Sequence, residues 1–328
     1  MTVDAHRNVF GSQDDGTEVA QFRLRHGSLS VDIIEYGARL QQIFWHHDSG
    51  HLQKLIWGFE DLSSYERDEQ YLGAVIGPVA NRLKNATYRD GQSMIVVEPN
   101  WGCHQLHGGT LGLHQQIWRG ELVSDHRGPA LELTTTHADG TDGYPGNLFV
   151  KAKYVLAESG RLHIELLAKC DQRRIVSLTT HPYFQLSETG EDQLLSLFSE
   201  RYLAVDQSQI PTGRIHSSRE LFGHPFSTQG LDGLSLDHTF IFDGDRKSAL
   251  AELQSEALTL RVFANQPALQ VYIARKEKQG AAVCFEPHGY VNAPNQEDFP
   301  SIMLTPGQRY DNQICYVFSE TQSPKQTR

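Results

Sequence analysis

The sequence predicts an all-β protein, a large antiparallel β-sandwich with few and short helices. Three observations predict it. Apolar residues recur with period two along many short segments, Gly, Asn, Asp and Pro turns separate those segments, and long amphipathic helical stretches are nearly absent. With 328 residues, 39% of them hydrophobic and 21% charged, the chain can bury a sizeable core and is no disordered polymer. No Pro/Ser-rich linker and no fixed-period repeat interrupts it, so one domain is expected over 1–328, with a polar tail over about 319–328.

Taken in order, strands are expected over 28–36 and 40–45, then one or two short helical turns within 61–70. Segments 86–88 and 94–97 flank Asp90-Gly91, the dipeptide a type I′ hairpin turn favours. A strand over 131–136 follows. Segment 148–156 alternates, with Val150, Ala152 and Tyr154 on one side. Segment 161–170 places Leu162, Ile164, Leu166, Ala168 and Cys170 on one face and mostly Arg161, His163, Glu165 and Lys169 on the other. Glu158-Ser159-Gly160 joins these two segments as a hairpin. Further strands are expected over 174–179, 258–264, 269–274, 281–286 and 313–318.

The formal charge of −11, without a block of Lys and Arg, excludes phosphate-rich partners such as nucleic acid or an anionic membrane, and favours a neutral small molecule. The polar start at Met1 lacks a signal peptide's apolar core, and the apolar run 71–80 is about half the length a bilayer needs. Cys103, Cys170, Cys284 and Cys315 form no C-x-x-C pair, so the expected setting is cytoplasmic with reduced thiols. Asn85-Ala86-Thr87 matches a glycosylation sequon that such a setting leaves unused. Cys103, His104 and His107 are the one tight group of metal-ligating types. They lack the second ligand pair of a closed zinc site, and no metal or cofactor is expected.

The candidate chemistry centres on Glu286, in the apolar run Ala282-Val283-Cys284-Phe285-Glu286. Val283 and Phe285 share one face; Ala282, Cys284 and Glu286 share the other, where small neighbours leave room beside the carboxylate. An ionised carboxylate there is costly unless a partner or a wet cleft meets it. Other polar groups cluster at strand ends. Asn81-Arg82 ends a small-residue run and offers a fork of donors, and His107 precedes paired glycines that permit close backbone approach. His181 is held extended before Pro182 and followed by Tyr183 and Phe184, a positioned imidazole beside an aromatic surface. Asp237 starts a strand, and Gln270 and Tyr272 face away from an apolar side. Hydroxyl-binding groups, an aromatic platform and an acid/base pair form the inventory for a neutral polyol.

With these residues in view, the chain resembles the aldose 1-epimerases (mutarotases) of galactose-mutarotase type. The likeness runs in order through Leu55-Ile56-Trp57-Gly58-Phe59, 77–82, 106–109, 142–147, 180–184, 210–213, 237–240, 270–272, Glu286 and 299–307. It implies the galactose-mutarotase supersandwich and interconversion of the α- and β-anomers of a free aldohexose such as galactose or glucose, without cofactor or metal; the alternatives are a non-catalytic sugar-binding sensor on the same sandwich and an epimerase acting on a hexose phosphate. It also implies that Glu286 is the general base, His181 the general acid, and Asn81, Arg82, His107, Asp237 and Gln270 the sugar-binding residues, with Tyr183 beside them. The expected partner is a monosaccharide, for a monomer or weak homodimer. Departures from the family pattern at Pro78, Leu113, His114, His288, Val291 and Asn292 bear on which aldose is preferred.

Overall fold

The computed structural model describes residues 3–224, 226, 228–243 and 247–321. Three antiparallel sheets dominate. The largest has nine strands, in the order Arg119–Val123, Ala130–His137, Leu148–Ala157, Arg161–Cys170, Tyr310–Glu320, Leu258–Ala264, Ala251–Gln254, Leu194–Leu197 and Gln229–Gly230. A six-stranded sheet orders Tyr183–Phe184, Gly280–His288, Ala268–Lys276, Asp237–Ile241, Arg201–Val205 and Pro211–Ser217. A five-stranded meander runs in sequence order from Val3–Ser12 to Leu52–Lys54. One buried apolar cluster draws on all three, with Phe22 and Val31 from the meander, Ile164, Leu166 and Tyr316 from the nine-stranded sheet, and Val271, Val283 and Phe285 from the six-stranded one. The expected β-sandwich is therefore what the chain forms, and the only α-helices among the described residues are Leu62–Glu66 and Ser218–Phe222.

The period-two reading holds at the core strands. Leu162, Ile164, Leu166, Ala168 and Cys170 are all buried, as are Val150, Ala152 and Tyr154 opposite them. Some boundaries differ. The expected strand 174–179 is two short pieces, Arg174–Ile175 and Thr179–Thr180, which pair with Met303–Leu304 and Val75–Ile76. The hairpin at Asp90-Gly91 pairs Asp90 with Ser93, so Gly91 and Gln92 are its central residues. Only Gly91 of these has positive φ, the type II′ pattern rather than I′. The last strand continues past Phe318 to Glu320, and the rest of the expected tail, 322–328, lies outside the described residues.

Glu35 joins two of the sheets. Its carboxylate accepts the Ala20 N–H (3.0 Å) on the meander and the Gly120 N–H (3.0 Å) on the edge of the nine-stranded sheet. Both bonds are charge-assisted and largely desolvated, so each outweighs an ordinary surface hydrogen bond. Glu35→Ala is expected to cost about 3 kcal/mol of folding stability, measured by denaturant unfolding. A loss below about 0.5 kcal/mol would show that the two sheets do not depend on this carboxylate.

Candidate active site

The six-stranded sheet builds one wall by register alone. Gln270 stands directly opposite Glu286, Tyr272 opposite both Cys284 and Asp237, and Tyr183 opposite Cys284. Alternation then sends Leu269, Val271, Val283 and Phe285 into the core and leaves Gln270, Tyr272 and Glu286 on the other face. The opposite wall comes from the Arg82–Leu83/Gln105–Leu106 pair, which carries Asn81, Arg82 and His107 at its ends. Between the walls lies a cavity of about 240 Å³, lined by every expected site residue: Asn81, Arg82, His107, His181, Tyr183, Asp237, Gln270 and Glu286.

Within it, His181 Nε2 lies 3.3 Å from Glu286 Oε1, both side chains being almost wholly buried. The second carboxylate oxygen of Glu286 and Nδ1 of His181 have no hydrogen-bond partner. Burial, with the Asp237 charge adding to it, pushes the Glu286 carboxyl well above the usual range, against the pull of Arg82. Burial also holds His181 down, to about 4. The charges of Asp68 and Asp237 favour the protonated imidazole, and the loss of solvent outweighs them. Neutral Glu286 with neutral His181 contains the same number of protons as anionic Glu286 with cationic His181. The pair is therefore one proton-holding unit whose two forms differ by a transfer along the 3.3 Å contact.

A second network links the polar side chains of the two walls. Asp237 accepts from Arg82 Nη2 (3.0 Å) and from Gln270 Nε2 (2.5 Å), and Gln270 accepts from Thr239 Oγ1 (2.5 Å). The Asn81 side-chain oxygen accepts from the Arg82 N–H (2.8 Å), and the Trp101 ring lies 4.8 Å from the guanidinium. Each partner thereby fixes the others before a ligand arrives.

His107, His181 and Glu286 present atoms within 4.8 Å of one another, the composition of a metal-ligand set. The hydrogen bonding argues otherwise. The Asn81 backbone N–H donates to His107 Nδ1 (3.2 Å), which assigns the ring proton to Nε2 and makes it a donor rather than a ligand. Burial, with neighbouring charges adding to it, keeps this imidazole neutral. Such a donor can meet an acceptor oxygen in the cavity. The Cys103/His104 pair does not join it; His104 Nδ1 accepts from Asn85 N–H (2.9 Å) on an exposed turn.

Tyr183 does more than face a ligand. It stacks on His181 (centroids 5.0 Å) and on Trp57 (5.6 Å), and its hydroxyl donates to Gln70 O (2.8 Å). The glycines after His107 serve the protein's own packing. A Cβ on Gly108 would sit 2.2 Å from Gly77 O, and one on Gly109 2.5 Å from the Asp142 carboxyl carbon. None of Pro78, Leu113, His114, His288, Val291 and Asn292 lines the cavity, so any effect of these positions on sugar preference is indirect. The sequence reading missed Glu69, Gln70, Tyr71 and Leu106 on the cavity wall and Trp101 behind Arg82. Tyr71 opens an apolar run that carries no polar signal, and its left-handed backbone, like that of Asn81 and His107, is not written in residue type.

A family model described as Aldose 1-epimerase matches residues 20–316. The chain is 31% identical over 350 residues to the galactose mutarotase of Bos taurus, covering 97% of this chain and 99% of that protein. It is 27% identical over 340 residues to the aldose 1-epimerase of Escherichia coli, covering 93% and 96%. In fold it is similar to a galactose 1-epimerase from Lactobacillus acidophilus, with a TM-score of 0.87, 24% identity and coverage of 98% and 100%. An aldose epimerase homologue from C. elegans gives a TM-score of 0.81 at 28% identity, covering 90% and 97%.

Five buried imidazoles, His107, His114, His137, His181 and His288, are held below the ordinary histidine value, in each case chiefly by burial. As pH falls below about 6.5 the unfolded chain takes protons that the fold refuses, so stability present at neutral pH is lost on acidification toward about 4. The raised carboxyls of Glu286 and Asp142 act in the opposite sense and offset part of it. Each imidazole contributes a slope of about 1.4 kcal/mol per pH unit. Unfolding free energy is therefore expected to drop by several kcal/mol between pH 7 and 5, read from denaturation curves; a flat profile would show that these rings titrate normally.

Proposed function

The chain belongs to the aldose 1-epimerase family, and we propose that it interconverts the anomers of a free aldohexose such as galactose or glucose, with Glu286 as base and His181 as acid. The observation that carries this reading is the buried His181–Glu286 contact, at 3.3 Å, opening on a cavity lined by hydroxyl-binding groups. In the working form the carboxylate is anionic and the imidazole cationic. Glu286 takes the proton from the anomeric O1–H while His181 gives one to the ring oxygen. The C1–O5 bond breaks and O1 becomes an aldehyde carbonyl. The pair is then neutral, the form its burial favours. Rotation about C1–C2 exposes the other carbonyl face. His181 recovers its proton from the O5 hydroxyl as O5 attacks C1, Glu286 returns its own to O1, and the starting form is restored.

Arg82, Asp237, Gln270, Asn81 and the Nε2–H of His107 are proposed to hold the sugar hydroxyls and ring oxygen. The substrate this arrangement favours is uncharged, because Arg82 is already paired with Asp237 and Glu69 adds a carboxylate to the wall. Of the remaining readings, one domain over 1–328 takes support from the single family match over 20–316, and a monomer or weak homodimer in the cytoplasm from the −11 charge and the four free cysteines.

Glu286→Gln and His181→Asn are each expected to lower kcat/KM for α-galactose or α-glucose equilibration by at least about 10²-fold, with folding retained. Polarimetry of freshly dissolved sugar gives the rate, and wild-type rates in both variants would refute the assigned pair. In the same assay an aldose 6-phosphate is expected to give kcat/KM at least about tenfold below its parent sugar; equal values would refute the preference for neutral substrates.

A further inference from the structure

We propose that Tyr71, presented by the buried Arg39–Asp68 ion pair, is a positioning residue for the His181 imidazole. The inference rests on the acid role given to His181 above. A general acid on histidine ordinarily has its other ring nitrogen fixed by a hydrogen bond. Here Nδ1 of His181 is buried and has no partner, so beyond the Nε2 contact with Glu286 the ring is held by what packs on it. Tyr183 stacks at 5.0 Å, His107 stands edge-on at 5.3 Å, and Tyr71 closes the remaining side at 6.2 Å. The Tyr71 centroid lies 4.6 Å from His107, 4.8 Å from His114 and 6.2 Å from His181.

The placement of Tyr71 has an identifiable cause. Arg39 is completely buried, and its Nη1 lies 2.7 Å from Asp68 Oδ2. Two desolvated charges are costly unless their remaining hydrogen-bonding capacity is filled. Asp68 accepts the N–H groups of Gln70 (2.9 Å) and Leu72 (2.7 Å), while Arg39 donates to Leu72 O (2.9 Å) and to His114 O (3.3 Å). Asp68 through Gln70 and Leu72, and Arg39 through Leu72 O, thus bond the backbone either side of Tyr71, which they hold at φ +58°, a conformation a tyrosine rarely adopts. The same segment reaches the His181 main chain. Gly73 N–H donates to His181 O (3.0 Å), and His181 N–H donates to Ala74 O (2.9 Å). Arg82, Asp237 and Gln270 hold one another through separate bonds on other strands, so these three sugar contacts do not rely on this segment.

The test separates positioning from folding. Tyr71→Ala is expected to lower kcat by about 10- to 100-fold with KM within about threefold, since a displaced proton donor slows the chemical step. Tyr71→Phe is expected to keep near wild-type kcat, because the ring and not the hydroxyl makes the contacts. Asp68→Asn is expected to act in the same direction and to add little in the Tyr71→Ala background, because it works through that ring. Should Asp68→Asn not fold, the Tyr71 pair alone decides. A wild-type kcat in Tyr71→Ala, a KM rise matching the kcat loss, or fully additive losses would each overturn the proposal. Glu286→Gln measured alongside distinguishes the two failures: if it is inactive while Tyr71→Ala is normal, only the positioning role falls.

Discussion

The carboxyl group of Glu286, placed on an otherwise apolar strand, is the constraint on which the rest of the site depends. Its neighbours Ala282 and Cys284 are small and buried and cannot solvate it. An unpartnered carboxylate at that depth would cost several kcal/mol. The fold meets that cost by bringing up a single imidazole rather than an arginine. An arginine would fix the carboxylate as a permanent anion. The buried imidazole leaves the proton shared, because its own charged form is also disfavoured there. A partner that can both take up and release a proton leaves the pair free to exchange one, which a permanent guanidinium cation would not.

The surrounding sheet makes that contact reproducible. The row Asp237, Tyr272, Cys284, Tyr183 and the neighbouring row Thr239, Gln270, Glu286 are consequences of antiparallel register. A slip by one residue would turn Glu286 into the core and Phe285 into the cavity, so the packing of Val283 and Phe285 guards the chemistry as well as the fold. The facing wall is irregular, with Tyr71, Asn81 and His107 all at positive φ. Strain there is tolerated because tertiary hydrogen bonds over-determine each residue, as the reciprocal Asn81–His107 bonds show. One wall is thus set by a regular ladder and the other by bent loops pinned against it.

Much of this was legible from residue order, and the reasons are specific. The hairpin of 148–156 and 161–170 could be read because the burial alternates through 161–170 and from Leu148 to Tyr154, before the first strand becomes wholly buried at its end. The 174–179 segment was read as one strand because all of it is buried, and uniform burial erases the alternation that would have marked its two pieces. Glu286, His181, Arg82 and Asp237 stood out as polar groups out of place in apolar or turn-rich contexts. Tyr71 and Trp101 did not, since an aromatic residue near an apolar run or a glycine turn looks the same whether it fills a core or braces a guanidinium.

By itself the sequence determined the all-β class, the inward and outward faces of the core strands, the family, and which polar side chains are candidates for chemistry. These follow from local periodicity and residue type, which act over a few neighbouring positions. Only the tertiary structure decided that His181 and Glu286, some hundred positions apart, share a 3.3 Å contact, that burial rather than charge pairing governs their protons, and that Asn81 fixes the His107 tautomer. Distances between remote segments and the solvent lost around them are properties of the closed fold, and no stretch of chain carries either quantity before the sheets have come together.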